Sequence, residues 1–387
     1  MKILVITPKI PWPASGADEQ DRVEGIRLMQ ELGHEVMVIA KVADFQKGRS
    51  DEMSTALSIP VVSVPYTKGG FAWRRFSDLR WLDGAAYEYT DPAIRRAVDD
   101  ALASFKPDVV WIDASFSWPL IALFKKRGIR TIVRSLQIES THVLVDEGYR
   151  IPNLIRAIGK HLGEMTLARS ADAIVAINKN EEAAYRRMGA RVTTTMALRS
   201  LPAILEDAPI EYRDTVPLHV LFSGSTFSVA HNRVGVMKVI RQIAPALEAA
   251  APGMFMIHIT GGKLPADITA SLPANVRYEG YVADYTAFMK GMDIAITPDL
   301  GRVGMHQKLY EPVARGVPTV TEPWALAGFP LESGVLLART SREFVTQLVS
   351  LRDVSVRRTL GERGRTIALR LFSRECMRAE LAAILAS

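Results

Sequence analysis

At 387 residues the chain has room for two domains of roughly 150 residues each, and an apolar content of 48% supplies a large core. Its 48 Lys and Arg against 42 Asp and Glu leave a formal charge of +6 that is not gathered into one basic run, so nucleic acid is not an expected partner. One cysteine, Cys376, excludes an intrachain disulfide framework, and the seven scattered histidines show no Cys/His ligand spacing, so no metal site is expected.

KILVIT (residues 2–7) is a continuous apolar run closed by Pro8, the pattern of a buried parallel strand. No secretory leader precedes it, and no apolar run approaches the about 20 residues of a membrane span. A cytoplasmic, reducing setting is therefore expected. A loop containing Gly16 follows, then a helix to about Leu32 with Asp18 as its expected N-cap and Gly33 as its stop, then a second strand, EVMVIA. Together these make a βαβ crossover unit. IPVVSV (59–64), DVVWID (108–113), RTIVRS (130–135) and ADAIVAIN (171–178) read as further buried strands, the last preceded by a helix over about 153–170. Residues 71–89 interleave Trp73, Phe76 and Trp81 with Arg74, Arg75 and Arg80. Such a segment either lies on an anionic membrane surface or packs on its own domain with its arginines snorkelling outward.

Residues 197–216 lack periodicity, contain two prolines and read as a linker. PLHVLFSG (217–224) opens a second βαβ series, and the loop after it places Gly224, Ser225 and Thr226 at the carboxyl edge of a parallel strand, where ligands bind in open α/β sheets. MFMIHITGG (254–262) repeats the strand-then-glycine pattern with Gly261 and Gly262. The stretch GRVGMHQKLYEPVARGVPTVT (301–321) reads as a glycine-rich loop, a short helix stopped by Gly316, and a buried strand. Lys308 and Glu311 lie three apart and share a helical face. A lysine in the first turn opposes the helix dipole. A phosphate bound at the helix N-terminus accounts for it, and so does a solvated lysine beside a surface glutamate. A strand, GVLLA, and two helices follow, the last and longer one over about 354–385. The chain has no Gly-x-Ser-x-Gly, no Walker loop and no G-x-G-x-x-G after its first strand, which speaks against hydrolases and dehydrogenases.

KLYEPVARGVPTVT resembles the E-A-x-A-x-G-x-P-V-V segment of the retaining GT-B glycosyltransferases of the GT4-like, "group 1" family. Glu311 matches the second glutamate of that family's E-x7-E motif, which holds the ribose hydroxyls. The first glutamate falls on Val303, a departure, and Lys308 fits a variant with lysine three residues before the retained glutamate. RSLQIE (134–139) is similar to the family's R-x-H-N-x-E: Arg134 and Glu139 match, Gln137 stands for the asparagine, and Leu136 replaces the histidine. NVRYEGYVADYTAFMKGMDIAITPD (275–299) resembles the segment whose backbone contacts the nucleobase, which implicates Tyr281 and Val282. The family's arginine–lysine pair around the loop after residue 224 is not evident; Arg233 is close, and Lys308 is expected to take that charge.

The resemblance implies an α/β GT-B fold, two Rossmann-like doubly wound domains facing one another across a cleft. The expected divisions are 1–200 on the acceptor side, 201–370 binding the nucleotide sugar, and 371–387 as a helix crossing back to the first domain. It implies metal-independent, retaining transfer of a hexosyl group from a nucleotide-diphosphate sugar to a hydroxyl of a glycan, glycolipid or small molecule, without a further cofactor. Lys308 and Glu139 are the implied catalytic residues. Glu311, Gly304, Met305, His306, Ser225, Gly224, Gly261, Gly262, Tyr281 and Val282 are placed at the donor, and Gly16, Asp18 and Gln137 at the acceptor. A peripheral membrane contact through residues 71–81 is also expected. Two alternatives stay open: a non-hydrolysing sugar-nucleotide epimerase, and a non-catalytic subunit of the same architecture that binds nucleotide or glycan.

Overall fold

The computed structural model describes residues 1–66, 78–228 and 230–387, the side chains of 230 and 231 aside. The chain forms two compact units. The first comprises residues 1–200, 303–305 and 377–387, and the second comprises 201–302 and 306–376.

In the first unit the apolar runs become strands β1 (Lys2–Thr7), β2 (Glu35–Val42), β3 (Val61–Pro65), β4 (Val109–Ile112), β5 (Arg130–Ser135) and β6 (Ala173–Ala176), and an unexpected seventh, β7 (Thr193–Thr195), is all threonine. All pairings are parallel, in the order β3-β2-β1-β4-β5-β6-β7. The order reverses between β1 and β4, which makes this sheet a doubly wound, Rossmann-like layer with its switch point at those two strands. The second unit repeats the design with β8 (Leu218–Thr226), β9 (Phe255–Gly262), β10 (Val276–Gly280), β11 (Ile294–Thr297), β12 (Thr319–Thr321) and β13 (Leu336–Leu337), ordered β10-β9-β8-β11-β12-β13. Its switch point lies between β8 and β11. Helices cover both sheets, and each unit buries its own core around residues such as Ile6, Val110, Phe124 and Ile174, or Val220, Ile257, Ile296 and Phe344.

Several local expectations change. The first helix, Ala17–Glu31, takes Gly16 as its N-cap residue, not Asp18. The Glu19 carboxylate folds over that position, so that a Cβ on Gly16 would lie 2.3 Å from Glu19 Oε2. Asp18 instead accepts from Arg22 at 2.9 Å and pairs with Lys9 at 3.3 Å. The stretch expected as a linker holds a helix, Leu201–Glu206, because Arg365 donates to the carbonyls of Leu205 and Asp207 and satisfies its end. The long final helix is two, Val354–Phe372 and Arg374–Ala386, separated by Ser373 in extended conformation. Arg130 donates to the carbonyls of Ile384 and Leu385 at 2.7 and 2.6 Å and caps the last one.

Arg134, which matches a family motif, is fully buried. It donates to the Met196 and Ala197 carbonyls and to Asp21 Oδ1 at 3.3 Å. Asp21 also accepts from Arg199 through its backbone N–H at 2.8 Å and its Nε at 3.0 Å. Arg199 continues to Asp113 at 3.2 Å, and Trp111 Nε1–H donates to the same carboxylate at 2.8 Å. Two arginines and two aspartates thus sit out of water beneath the end of β4 with their charges matched, the condition under which a buried ion-pair group is tolerated.

Candidate active site

In the second unit, the expected ligand helix is Gln307–Ala314, with His306 as its N-cap residue, whose side chain makes no cap hydrogen bond. Its polar residues turn in two directions. Lys308 Nζ donates to Asn232 Oδ1 at 2.7 Å. Asn232, buried on the helix Ala230–Lys238, uses its Nδ2 to reach Ser225 Oγ at 3.1 Å and the Thr226 carbonyl at 2.9 Å. One amide thereby ties Lys308 to the carboxyl end of β8, at the switch point. Among the described residues no carboxylate lies within ion-pair distance of Lys308, and burial alone pulls its pKa down to about 8. A half-buried ammonium without an anion at a strand edge is the arrangement an anionic ligand completes.

Glu311 faces elsewhere. Its Oε1 accepts from Arg315 Nε at 3.2 Å and Nη2 at 3.1 Å, and its Oε2 accepts from Gln307 Nε2 at 3.0 Å. Arg315 is held in turn by Asp207 at 2.8 Å. The Glu311 carboxylate is therefore buried and oriented between Arg315 and the neutral Gln307 amide. His306 Nε2 carries the proton, since it bonds the Gly301 carbonyl at 2.8 Å and a carbonyl only accepts. Gly224 and Gly261 pack against one another. A Cβ on Gly224 would lie 2.5 Å from the Phe227 ring, and one on Gly261, at φ +119°, would lie 2.7 Å from the Gly224 carbonyl oxygen. Gly262 accepts from the Phe227 N–H at 2.9 Å. These glycines let the ends of β8 and β9 close together beneath Ser225. Tyr281 follows Gly280, whose φ is +66°, and is 84% exposed; Val282 is half-buried.

In the first unit, Glu139 begins the helix Glu139–Glu147. Its carboxylate accepts from Gln137 at 3.1 Å and from buried Lys160 at 3.3 Å, and Lys160 also pairs with Asp83 at 3.2 Å. Glu164 caps the helix, accepting from the Glu139 N–H at 2.6 Å and from Ser140 Oγ at 2.6 Å; burial pushes its carboxyl up to about 7. Gly304 and Met305 belong to this unit. The Gly304 N–H donates to Glu181 Oε1 at 2.7 Å, its carbonyl accepts from Asn178 at 2.8 Å, and Met305 Sδ accepts from the Leu198 N–H at 3.4 Å. The Gly304 amide, expected at a diphosphate, is spent on Glu181 in this arrangement. Of the segment expected at a membrane, residues 71–77 lie outside the described residues. Arg80 grips Asp78 and lies 4.8 Å over the Trp118 ring, and Trp81 packs on the same ring.

Residues 24–198 match the family described as "Glycosyl transferase 4-like domain", and residues 217–353 match "Glycosyl transferases group 1". The chain belongs to the GT-B, GT4-like group 1 glycosyltransferases. No curated protein matches it. Among solved structures, Anabaena HepE in complex with UDP is 16% identical with a TM-score of 0.68, covering 100% of both chains. Sucrose-phosphate synthase from Thermosynechococcus elongatus is 14% identical with a TM-score of 0.70, covering 100% of this chain and 98% of that one. A UDP-N-acetylglucosamine 2-epimerase structure from Listeria monocytogenes is 10% identical with a TM-score of 0.56, covering 96% and 94%. These likenesses show the fold.

For a glycosyltransferase of this family, sugar transfer from a nucleotide sugar is the activity. Near the β8 edge Lys308 is tied through Asn232 to Ser225. Arg233, the other candidate, is exposed and donates to the Phe227 carbonyl. Sequence reasoning missed Asn232 altogether. The signal was slight: a lone asparagine beside Arg233 in the first turn of a helix that follows β8.

Proposed function

We propose that this glycosyltransferase transfers a hexosyl group, with retention of configuration, from a nucleotide-diphosphate sugar to a hydroxyl of a glycan or lipid-linked acceptor. The observation that carries the reading is the half-buried Lys308 ammonium, tied by Asn232 beside Ser225 at the carboxyl end of β8. As the glycosidic bond breaks, negative charge grows on the leaving diphosphate, and a fixed ammonium there gains more in the transition state than in the ground state. The sugar passes through an oxocarbenium-like state. The leaving phosphate takes the acceptor's proton, so the chain needs no base of its own. Glu311 accepts from the ribose hydroxyls, and Glu139, oriented by Lys160 and Gln137, faces the acceptor. HepE has been solved with UDP and with UDP-glucose, which makes UDP-glucose the first donor to try. Anomeric analysis of products from a panel of nucleotide sugars tests the reading: a retained α-linkage supports it. Inversion overturns retention. Epimerised donor alone, or no product with any donor and acceptor, returns the chain to the epimerase or to the non-catalytic subunit.

Two outcomes follow for binding. Lys308 supplies the cation that a metal otherwise brings to a diphosphate, so calorimetric affinity for a nucleoside diphosphate is expected to be the same with chelator as with magnesium; an absolute need for the metal sinks that part of the reading. The second outcome concerns pH. The free lysine titrates at about 8, and a bound diphosphate raises that value because it favours the charged form. Binding is therefore coupled to proton uptake above pH 8 and not below. Affinity stays level up to about pH 8 and then falls, by at most about tenfold per pH unit, until the bound-state value is passed. Lys308→Arg, charged throughout, flattens that fall. A slope unchanged in the arginine variant assigns the titration to another group.

A further inference from the structure

In the second unit a buried carboxylate holds the loop that leads to the ligand helix. Strands β11 and β12 leave the sheet side by side, with Thr297 paired to Thr321 and their hydroxyls 2.7 Å apart. Beyond β11 the chain turns at Asp299, whose φ of +54° is left-handed although the residue is not glycine, a conformation that its surroundings must hold. Beyond β12 comes Glu322, fully buried. Its Oε1 accepts from the Asp299 N–H at 2.9 Å and from Lys238 Nζ at 3.4 Å, and Lys238 also meets Asp299 Oδ2 at 3.2 Å. Trp324 Nε1–H donates to the Leu300 carbonyl at 3.1 Å, and the Arg302 guanidinium lies 4.7 Å over the Trp324 ring. The segment after β12 therefore grips the loop from Asp299 to Arg302. Gly301 in turn accepts from His306, the N-cap residue of the ligand helix.

Taking a carboxylate out of water is costly, and here only half of it is compensated. Glu322 Oε2 is buried and has no hydrogen-bond donor among the described residues, and Lys238 is one cation between two carboxylates. What Glu322 achieves is geometric. Lys238 ends the helix Ala230–Lys238, and Asn232, which holds Lys308, lies near the start of the same helix. One carboxylate thus meets both arms of the Lys308–Asn232 contact: the loop ahead of Lys308 through the Asp299 N–H, and the helix of Asn232 through Lys238. We propose that Glu322 is a positioning residue for sugar transfer, holding these two arms in register so that the Lys308 ammonium stands where charge develops on the leaving diphosphate. The inference rests on the role given to Lys308 above. A preorganised charge acts only from its place, and a misplacement of about 1 Å costs about 10²-fold in rate.

The test is a double-mutant cycle in the full chain between Glu322→Gln and Lys308→Ala. It is read as calorimetric affinity for UDP, GDP and ADP, the tightest being carried forward, and as kcat and KM with the matching nucleotide sugar. Glu322→Gln is expected to lower kcat about tenfold, within the cost of a small misplacement, and diphosphate affinity several-fold, while nucleoside affinity and the acceptor KM stay unchanged. In the Lys308→Ala chain the same change is expected to cost nothing further, because there is no ammonium left to place. Lys238→Gln, at a partly exposed side chain, gives the same pattern and replaces Glu322→Gln if that variant melts too low to assay. A carboxylate that only supports the fold lowers the melting temperature and costs the same factor with and without Lys308. That additive result overturns the positioning role and leaves the role of Lys308 standing, as do unchanged kcat and diphosphate affinity in both Glu322→Gln and Lys238→Gln. No binding of any of the three diphosphates, or a Lys308→Ala chain that binds and turns over as wild type, overturns the role of Lys308 and this one with it.

Discussion

Lys308→Ala lowers turnover about 10²–10³-fold, the cost of removing one preorganised donor from a site of developing charge, and leaves affinity for a plain nucleoside unchanged. The loss appears in kcat because the ammonium is worth most once the leaving diphosphate carries its full charge. Affinity for the nucleoside diphosphate falls as well, since the ground state is also anionic. Glu311→Ala gives the contrasting pattern. A hydrogen bond to a charged group contributes about 1.5–3 kcal/mol, so loss of the ribose contact weakens nucleoside and diphosphate alike, by about tenfold or more. Arg315 keeps its contact with Asp207 at 2.8 Å in that variant and is not left without a carboxylate. Asn232→Ala falls between the two. Lys308 keeps its charge but loses its tether to Ser225 and the end of β8, so kcat drops less than in Lys308→Ala. The measurements are affinity for nucleoside and for nucleoside diphosphate, kcat, and melting temperature for each variant. Equal loss of both ligands in Lys308→Ala, or none in Glu311→Ala, rejects these roles.

Most strands were legible because they are short apolar runs closed by turn residues, and a parallel sheet covered on both faces needs little more; β7, the all-threonine Thr193–Thr195, was not. Residues 2–7 and 130–135 coincide with β1 and β5 for that reason. The pairing of Lys308 with Glu311 was legible as a spacing, but its geometry was not: both lie on one short helix, yet one turns to Asn232 and the other to Arg315, and only tertiary contacts decide that. Asn232 escaped notice because its role rests on where β8 ends. Asp18 has the side chain of an N-cap, but the Glu19 carboxylate closes over Gly16 and the helix begins earlier. Ser373 caps the last helix, its Oγ accepting from the Cys376 N–H at 3.3 Å, and this N-cap signal inside a long periodic stretch was passed over. Arg134 matched a motif, and its structural role was not expected. Its burial depends on Asp21, 113 positions away in sequence, which is itself 178 positions from Arg199, beyond the reach of any local pattern.

Asp21→Asn destabilises the first unit by about 3–5 kcal/mol, the usual result of breaking a buried ion pair from one side. Arg199 and Arg134 are both fully buried and both meet Asp21. An asparagine keeps the shape and withdraws the charge, leaving two guanidinium groups with Asp113 as the remaining carboxylate, 3.2 Å from Arg199. For a unit of about 200 residues this lowers the melting transition by about 10 °C. The pH dependence separates charge from shape. Burial pushes the Asp21 carboxyl up, but Arg199 and Arg134 outweigh it and hold the group at about 2, below its ordinary 3.8. A depressed carboxyl contributes stability that is present above the unfolded value and lost as pH falls through the folded one, so the wild-type chain gives up this contribution between about pH 4 and pH 2. The asparagine variant has no such contribution to lose, and its stability relative to wild type converges over that window. Gly25→Ala attacks the same group without touching a charge. A Cβ there would lie 2.1 Å from Arg199 Nη1 and forces the guanidinium off Asp21, so it lowers the melting transition while leaving the titrating carboxylate in place. An Asp21→Asn chain that melts within a degree or two of wild type at neutral pH, or that keeps the same acid-side loss, would show that these buried charges do not hold the first unit together.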